Sequence, residues 1–355
     1  MTEQMESVEM DCTETINPAE EPPVTPGNQE ADEDIFRVPL PPKPDCPGYA
    51  VKSTLSGHKS CITSVKFRPD GQQLVSSSSD TLLMLWDVNT AKFQQSMSGH
   101  KVGINDLTWS QGHLLASCSD DKTVRLWDPR LGTCQKTLRG HSLQVFACRF
   151  NPSGNLLASC SFDETVRLWD VRTNRALKVV PAHHDPITSL DFNRDGTLFA
   201  TGSFDGLIRV WDTATCQLLK TLIDGDNAPV GHVKFSPNGR YVLASTLNCT
   251  LKLWNFFKAK CLRSYRGHVN EAYCINSNFS ITGGIWIVSG SEDKSLCIWK
   301  LQNKELVQKA DTEGDQVICT DCHPKENVIA TGALQNGFTV KLWKSSEEES
   351  PAVQS

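Results

Sequence analysis

The sequence predicts an all-β chain closed into a seven-bladed propeller, on three observations. Tryptophans stand at 86, 127, 169, 211, 254, 299 and 343, so a unit of 41 to 45 residues recurs along the chain. Each tryptophan ends a run such as TVRLW (Thr123–Trp127, and again Thr165–Trp169), LIRVW or TLKLW. Apolar and polar residues alternate there with the period of a strand that buries one face. Upstream lies a Gly-His pair, at Gly57-His58, Gly99-His100, Gly140-His141 and Gly267-His268, with Ala182-His183 in the fourth unit. A repeat of this length holds four short strands and their turns, and stacking such units buries what one alone cannot.

Taken in order, the first element is the strand AVKSTLSGH, Ala50 to His58, which parallels CQKTLRGH and CLRSYRGH at the close of later units. Seven units follow, and the last stops at Trp343 without an outer strand of its own. The N-terminal strand is therefore expected to complete the seventh blade and close the ring, leaving no bare sheet edge at a seam. The chain divides into an arm (1–48), a propeller (49–343) and a tail (344–355).

Residues 1–48 hold twelve acids against Arg37 and Lys43, and VPLPPKPDCPG adds prolines that forbid a helix or a central strand. Arm and tail are both expected to be disordered. With the arm at −10 and the whole chain at −6, the remainder is +4, a mildly basic body with an acidic extension. Of all residues, 39% are hydrophobic and 21% charged, ordinary values for a chain with a large core. No apolar run approaches the roughly eighteen residues of a membrane helix, and the acidic N-terminus does not resemble a signal peptide. The fourteen cysteines, scattered along strand-like segments, are expected to be reduced and to pack as small hydrophobes.

The Gly-His…Trp-Asp grammar at this period identifies the repeats as resembling the WD40 family, over roughly residues 50–343. Six residues before the tryptophans stand Asp80, Asp121, Asp163, Asp205, Asn248, Asp293 and Gly337. A serine, a histidine and an aspartate in one chain suggest a hydrolase triad, but a triad occurs once, whereas His and Asp recur together in five units. The resemblance implies a structural network instead, His58/Asp80/Trp86, His100/Asp121/Trp127, His141/Asp163/Trp169, His183/Asp205/Trp211 and His268/Asp293/Trp299. Units five and seven, with Asp226 and Glu313 in place of the histidine, are expected to be softer.

Other motifs carry less. CTDCH, Cys319 to His323, matches a haem attachment signature, but on a strand thiols three apart face opposite ways. Asn248 and Asn278 match glycosylation acceptors that mean nothing without secretion. His183-His184-Asp185 leaves one histidine for a metal once His183 serves the network. No phosphate-cradling loop, dinucleotide fingerprint or basic-aromatic tract is present. No enzyme chemistry, cofactor, metal, direct nucleic-acid contact or membrane contact is expected.

A propeller gathers one set of turns around its central channel. The residues before each network position are Ser79, Asp120, Phe162, Phe204, Leu247, Glu292 and Asn336. Five positions after each histidine or its equivalent come Thr63, Asn105, Phe146, Thr188, Gly231, Tyr273 and Ile318. Phe146, Phe162, Phe204 and Tyr273 with the carboxylate of Asp120 suit a cation, above all a guanidinium that stacks. Plugging of the channel is the plainer alternative.

Within WD40 proteins, stretches such as NPSGNLLASCSFDETVRLWDVRT, VKFSPNGRYVLA and GSEDKSLCIWKLQNKELVQK closely resemble the adaptor subunits of SET-domain histone H3-lysine methyltransferase complexes of the COMPASS and mixed-lineage-leukaemia type, as a diverged member. That resemblance implies a nuclear, non-catalytic scaffold, a monomer within its complex. Its channel mouth would take an arginine from a methyltransferase peptide motif or the histone H3 tail, between two phenylalanines. Phe146 matches the first and Asn276 replaces the second. Asp120, Phe162, Tyr273 and Cys274 match, while Ser79, Asn105, Thr188, Phe204 and Gly231 depart in kind. A second surface for a retinoblastoma-binding scaffold subunit is implied at Asn238, Tyr241, Leu253, Phe279 and Gln302, with Ile281 substituted. The alternatives are a substrate receptor of a ubiquitin ligase, or a scaffold of another nuclear assembly that has lost methyltransferase binding.

Overall fold

The structure, a computed structural model, describes residues 47–282 and 286–345. Its 28 strands form seven four-stranded antiparallel sheets, and the described residues contain no helix. Six sheets follow chain order from an inner to an outer strand; the seventh takes its outer strand, Tyr49–Leu55, from the N-terminal side. Tyr49 pairs with Ser345 and Leu55 with Val340, so the expected closure is observed. Tyr49 also exchanges two hydrogen bonds with the Gln308 amide of blade six, at 2.9 and 2.7 Å, which ties the seam to its neighbour. The strand at the seam runs to Ser345, so Lys344 and Ser345 belong to the ring rather than to the expected tail. The rest of the expected disordered arm and tail lies outside the described residues.

The core consists of wedges between adjacent blades, six of them formed by the described residues. Trp127 of blade two is fully buried against Leu83, Leu85 and Met97 of blade one, and Trp169 of blade three against Leu126 and Leu138 of blade two. Val65, Leu74 and Trp86 of blade one meet Cys319, Ala330 and Leu342 of blade seven in the same way. At about 1.5–3 kcal/mol for each large side chain buried, these wedges supply the dominant force that holds the circle shut.

One irregularity positions the channel. In six blades the ladder between the first and second strands slips by one residue near the start of the first strand. The extra residues are Thr63, Asn105, Phe146, Thr188, Gly231 and Ile318. A bulged residue has no partner across the ladder and is re-aimed, so five side chains and the bare Gly231 are presented together at one end of the channel. Blade six differs. Its first strand, Ser277–Ser280, is short and regular, and the chain reaches it through an irregular stretch at 269–276. His268 and Trp299 are 31 residues apart, against 27 or 28 in the four preceding His-containing blades, and the surplus is spent there. Tyr273 is therefore not on an inner strand, contrary to expectation, and lies 38% exposed in that stretch.

Candidate peptide-binding channel

The turns around the mouth are fixed by hydrogen-bond chains whose direction is forced. In blade three the Trp169 indole N–H donates to Ser159 Oγ at 2.8 Å, and Ser159 Oγ lies 2.8 Å from His141 Nε2. The Asp163 carboxylate can only accept, so His141 Nδ1–H donates to Oδ2 at 2.9 Å, and in the neutral imidazole Nε2 then accepts the proton of the serine that receives the indole N–H. Asp163 also accepts from Ser142 N at 2.9 Å and from Thr165 N and Oγ1 at 3.1 and 2.7 Å. Burial opposes its charge, but these donors hold its carboxyl well below the usual range. Asp163 is architecture.

The same chain joins Trp86, Ser76, His58 and Asp80, then Trp127, Ser117, His100 and Asp121. In blade four Thr201 replaces the serine between Trp211 and His183, which bonds Asp205. Burial pulls the imidazoles of His58, His100 and His183 down despite their carboxylate partners, so they are held neutral, as the proton directions require.

Blade six breaks the expectation. His268 makes no hydrogen bond through either ring nitrogen, Trp299 donates to the Arg266 carbonyl at 2.9 Å, and Asp293 pairs with Lys309 at 2.6 Å. The cause is the surplus before Ser277: Glu292 instead caps the backbone N–H groups of Glu271, Ala272 and Tyr273 at 2.8–3.0 Å. In blade five the Trp254 indole has no partner, and Lys252 pairs with Asp224.

The mouth opens into a cavity of about 140 Å³, lined by Asn105, Phe146, Thr188, Cys274 and Asn276 among the expected residues. Ser79, Asp120, Phe162, Phe204 and Tyr273 do not line it. Of these, Phe162 is 4.8 Å from Phe146 and 6.4 Å from Phe204 between ring centroids, so an aromatic arc spans blades three and four. Asp120 accepts from Asn105 Nδ2 at 2.7 Å, and Ser79 Oγ lies 2.9 Å from Cys61 Sγ. Across the ring, blade six supplies Asn276 and Cys274, whose thiol burial pushes up to about 12. A β-carbon on Gly231 would lie 3.3 Å from Cys274 Cα, so the bare bulge of blade five admits that close approach. Sequence reasoning missed Arg149 and His232, which line the deeper part of the same cavity. Each stands within three residues of a bulge position, and that adjacency was the available signal.

At the opposite end, Ile281 is 56% exposed, Gln302 is exposed and Asn238 is half-buried. Asn238 Oδ1 is occupied within its own turn by Ser236 Oγ and Arg240 N. Tyr241 and Leu253 are buried within the fifth sheet, while Phe279 lines a recess of about 290 Å³ with Phe192, Phe235 and Pro237. Phe257, 62% exposed and stacked on Phe256 at 4.1 Å, adds an apolar residue to this end that the sequence did not single out. As for the haem-like motif, Cys319 packs between blades one and seven and Cys322 against a different wedge, so the two thiols do face apart.

Residues 54–344 match the family model described as the WDR5 beta-propeller domain. The chain is 30% identical over 122 residues to the WD repeat domain-containing protein 83 homolog of Dictyostelium discoideum, 34% of this chain and 37% of that protein. It is 28% identical over 132 residues to pre-mRNA-processing factor 19 of Bos taurus, 37% of this chain and 25% of that protein. The chain spans well under half the length of these curated relatives. WD40 propellers serve as scaffolds for protein interactions, and by its repeats, its closed ring and this match the chain belongs to the WDR5 β-propeller family of WD40-repeat proteins.

Proposed function

We propose that the ring is a non-catalytic nuclear adaptor that takes an arginine-bearing peptide segment at the channel mouth. A second partner segment binds the far end around Ile281, Phe279 and Gln302. The observation that carries this reading is the aromatic arc Phe146–Phe162–Phe204 beside an open cavity, with Asp120 on the rim. A guanidinium stacked on such a face gains about 0.5–2 kcal/mol, depending on how dry the site is. With two faces of one rigid disc occupied, a weak contact at either becomes effectively intramolecular. The assembly best suited is one of the histone H3-lysine methyltransferase type, with a methyltransferase motif or the H3 tail at the mouth and a retinoblastoma-binding scaffold subunit beneath.

A second reading is favoured by Asn276. Where a second aromatic face would complete a sandwich, the cavity presents an amide, which suits a propeller whose preference has moved to another nuclear assembly. Affinity purification separates the two: recovery of methyltransferase subunits, lost on Phe146→Ala, supports the first, and their absence with other subunits retained supports the second. Recovery of ubiquitin-ligase subunits would overturn both.

A further inference from the structure

Blade six holds its wall of the mouth differently from the other blades. In blade three the N–H of Phe162, the residue before Asp163, donates to the Gln144 carbonyl at 2.9 Å, immediately ahead of the first strand. The same bond recurs at 2.9–3.1 Å in blades one, two, four, five and seven. There the backbone alone fixes the chain just before its bulge. In blade six the equivalent N–H, that of Glu292, donates to the Val269 carbonyl at 2.9 Å. Residues 270–276 are left between that bond and the strand that starts at Ser277.

The two ends of this stretch are tied to the neighbouring blades. Asn270 Nδ2 donates to Ser245 Oγ of blade five at 2.8 Å. Asn276 N donates to the Ile318 carbonyl of blade seven at 3.1 Å, and its own carbonyl accepts from Thr320 Oγ1 at 3.0 Å. Between them the successive N–H groups of Glu271, Ala272 and Tyr273 converge on one atom, Glu292 Oε1, at 3.0, 2.8 and 3.0 Å. Among the described residues no other acceptor serves these three. Hydrogen bonds to an ionised carboxylate are about twice as strong as neutral ones, so one side chain can do what a backbone bond does in the other blades. Cys274 follows directly, lines the cavity and packs against the bare Gly231. Its placement, and that of the exposed Tyr273 before it, depends on Glu292.

We propose that Glu292 is a positioning residue of the channel mouth, whose carboxylate sets the blade-six wall from Tyr273 to Asn276 against which a ligand packs. The choice of arginine as that ligand rests on the reading of the mouth given above. In six blades the approach to the mouth is built into the backbone, and in one it hangs on a side chain, so the blade-six wall is the adjustable one. The apparent affinity of the mouth is scaled by the fraction of molecules in which Glu292 holds its three donors.

The test uses the full chain, with hydrogen exchange of the 271–273 amides and titration of an arginine peptide read on the same variants. Glu292→Ala should speed exchange at those three amides about tenfold or more and leave the amides of blades one to five unchanged. It should weaken the peptide about fivefold or more. Glu292→Gln, which keeps an acceptor oxygen of the same reach, should recover part of both losses, and it carries the test if the alanine variant does not fold. Asp293→Ala, which removes the next carboxylate in the same turn, should change neither readout. Unchanged exchange in a folded Glu292 variant, or faster exchange with unaltered peptide affinity, overturns the proposal. Faster exchange in the variant, with no peptide binding even to the wild type, keeps the positioning of the wall and removes the arginine reading.

Discussion

His268 and Asp293 make no hydrogen bond to each other, although they occupy the positions that His141 and Asp163 fill at 2.9 Å. Unequal stability around the ring follows. Asp163→Ala strips a buried histidine and three further donors of their acceptor and should cost about 1–3 kcal/mol. Asp293→Ala removes a half-exposed pair with Lys309 and a hydrogen bond from Ser295 Oγ, but strips no buried histidine, and should cost less, about 1 kcal/mol. Urea unfolding of the two variants checks the difference, and equal losses would contradict the assignment.

Acid should loosen blade six early. Burial pulls His268 down to about 4, with no acceptor or donor to compensate. The unfolded chain titrates this group near 6.5, so between about 6.5 and 4 the unfolded state binds more protons and stability falls as pH falls. The whole window amounts to about 3 kcal/mol. His268→Gln should flatten the dependence of the unfolding free energy on pH across that range. The network carboxylates add a second loss lower down, because Asp121 and Asp163 are held below their usual range and lose their contribution only as pH falls beneath the unfolded carboxylate value.

Packing between blades six and seven allows no excess atom at Gly290. A β-carbon there would meet the Val317 carbonyl oxygen at 2.2 Å and Val317 Cγ1 at 2.7 Å. Gly290→Ala should therefore destabilise by about 1–3 kcal/mol, whereas at Gly225, with nothing within 4 Å, the same change should be nearly neutral. Thermal melts of the pair measure it.

In the arginine reading proposed for the mouth, Asn276 stands where a second aromatic face would complete the stack. Asn276→Phe should tighten an arginine peptide about two- to thirtyfold, the range for one added stacking face. No gain in a fluorescence titration would contradict the assignment of Asn276 to a missing stacking face.

Much of this is legible in the sequence. The tryptophan spacing fixed the number of blades, and the missing outer strand after Trp343 pointed to the closure that Tyr49 and Ser345 make. Asp163 was readable as structural because its pattern recurs. Blade six was misread because counting from His268 assumes a constant interval to the strand, and three extra residues moved Glu292 into the capping role. Arg149 and His232, which line the cavity, were hidden for a different reason. Alternation assigns Arg149 and His232 to a buried face, and only the bulges at Phe146 and Gly231 reveal that the face in question borders the channel.

The central claim, that the arc of Phe146, Phe162 and Phe204 grips a cationic side chain, is tested most directly by titrating the full chain with one short peptide carrying arginine, and with the same peptide carrying alanine. Saturable binding of the arginine peptide, lost with alanine and weakened at least tenfold by Phe146→Ala, is the expected result. Equal affinity for the two peptides, or binding indifferent to Phe146→Ala in a folded variant, would contradict it.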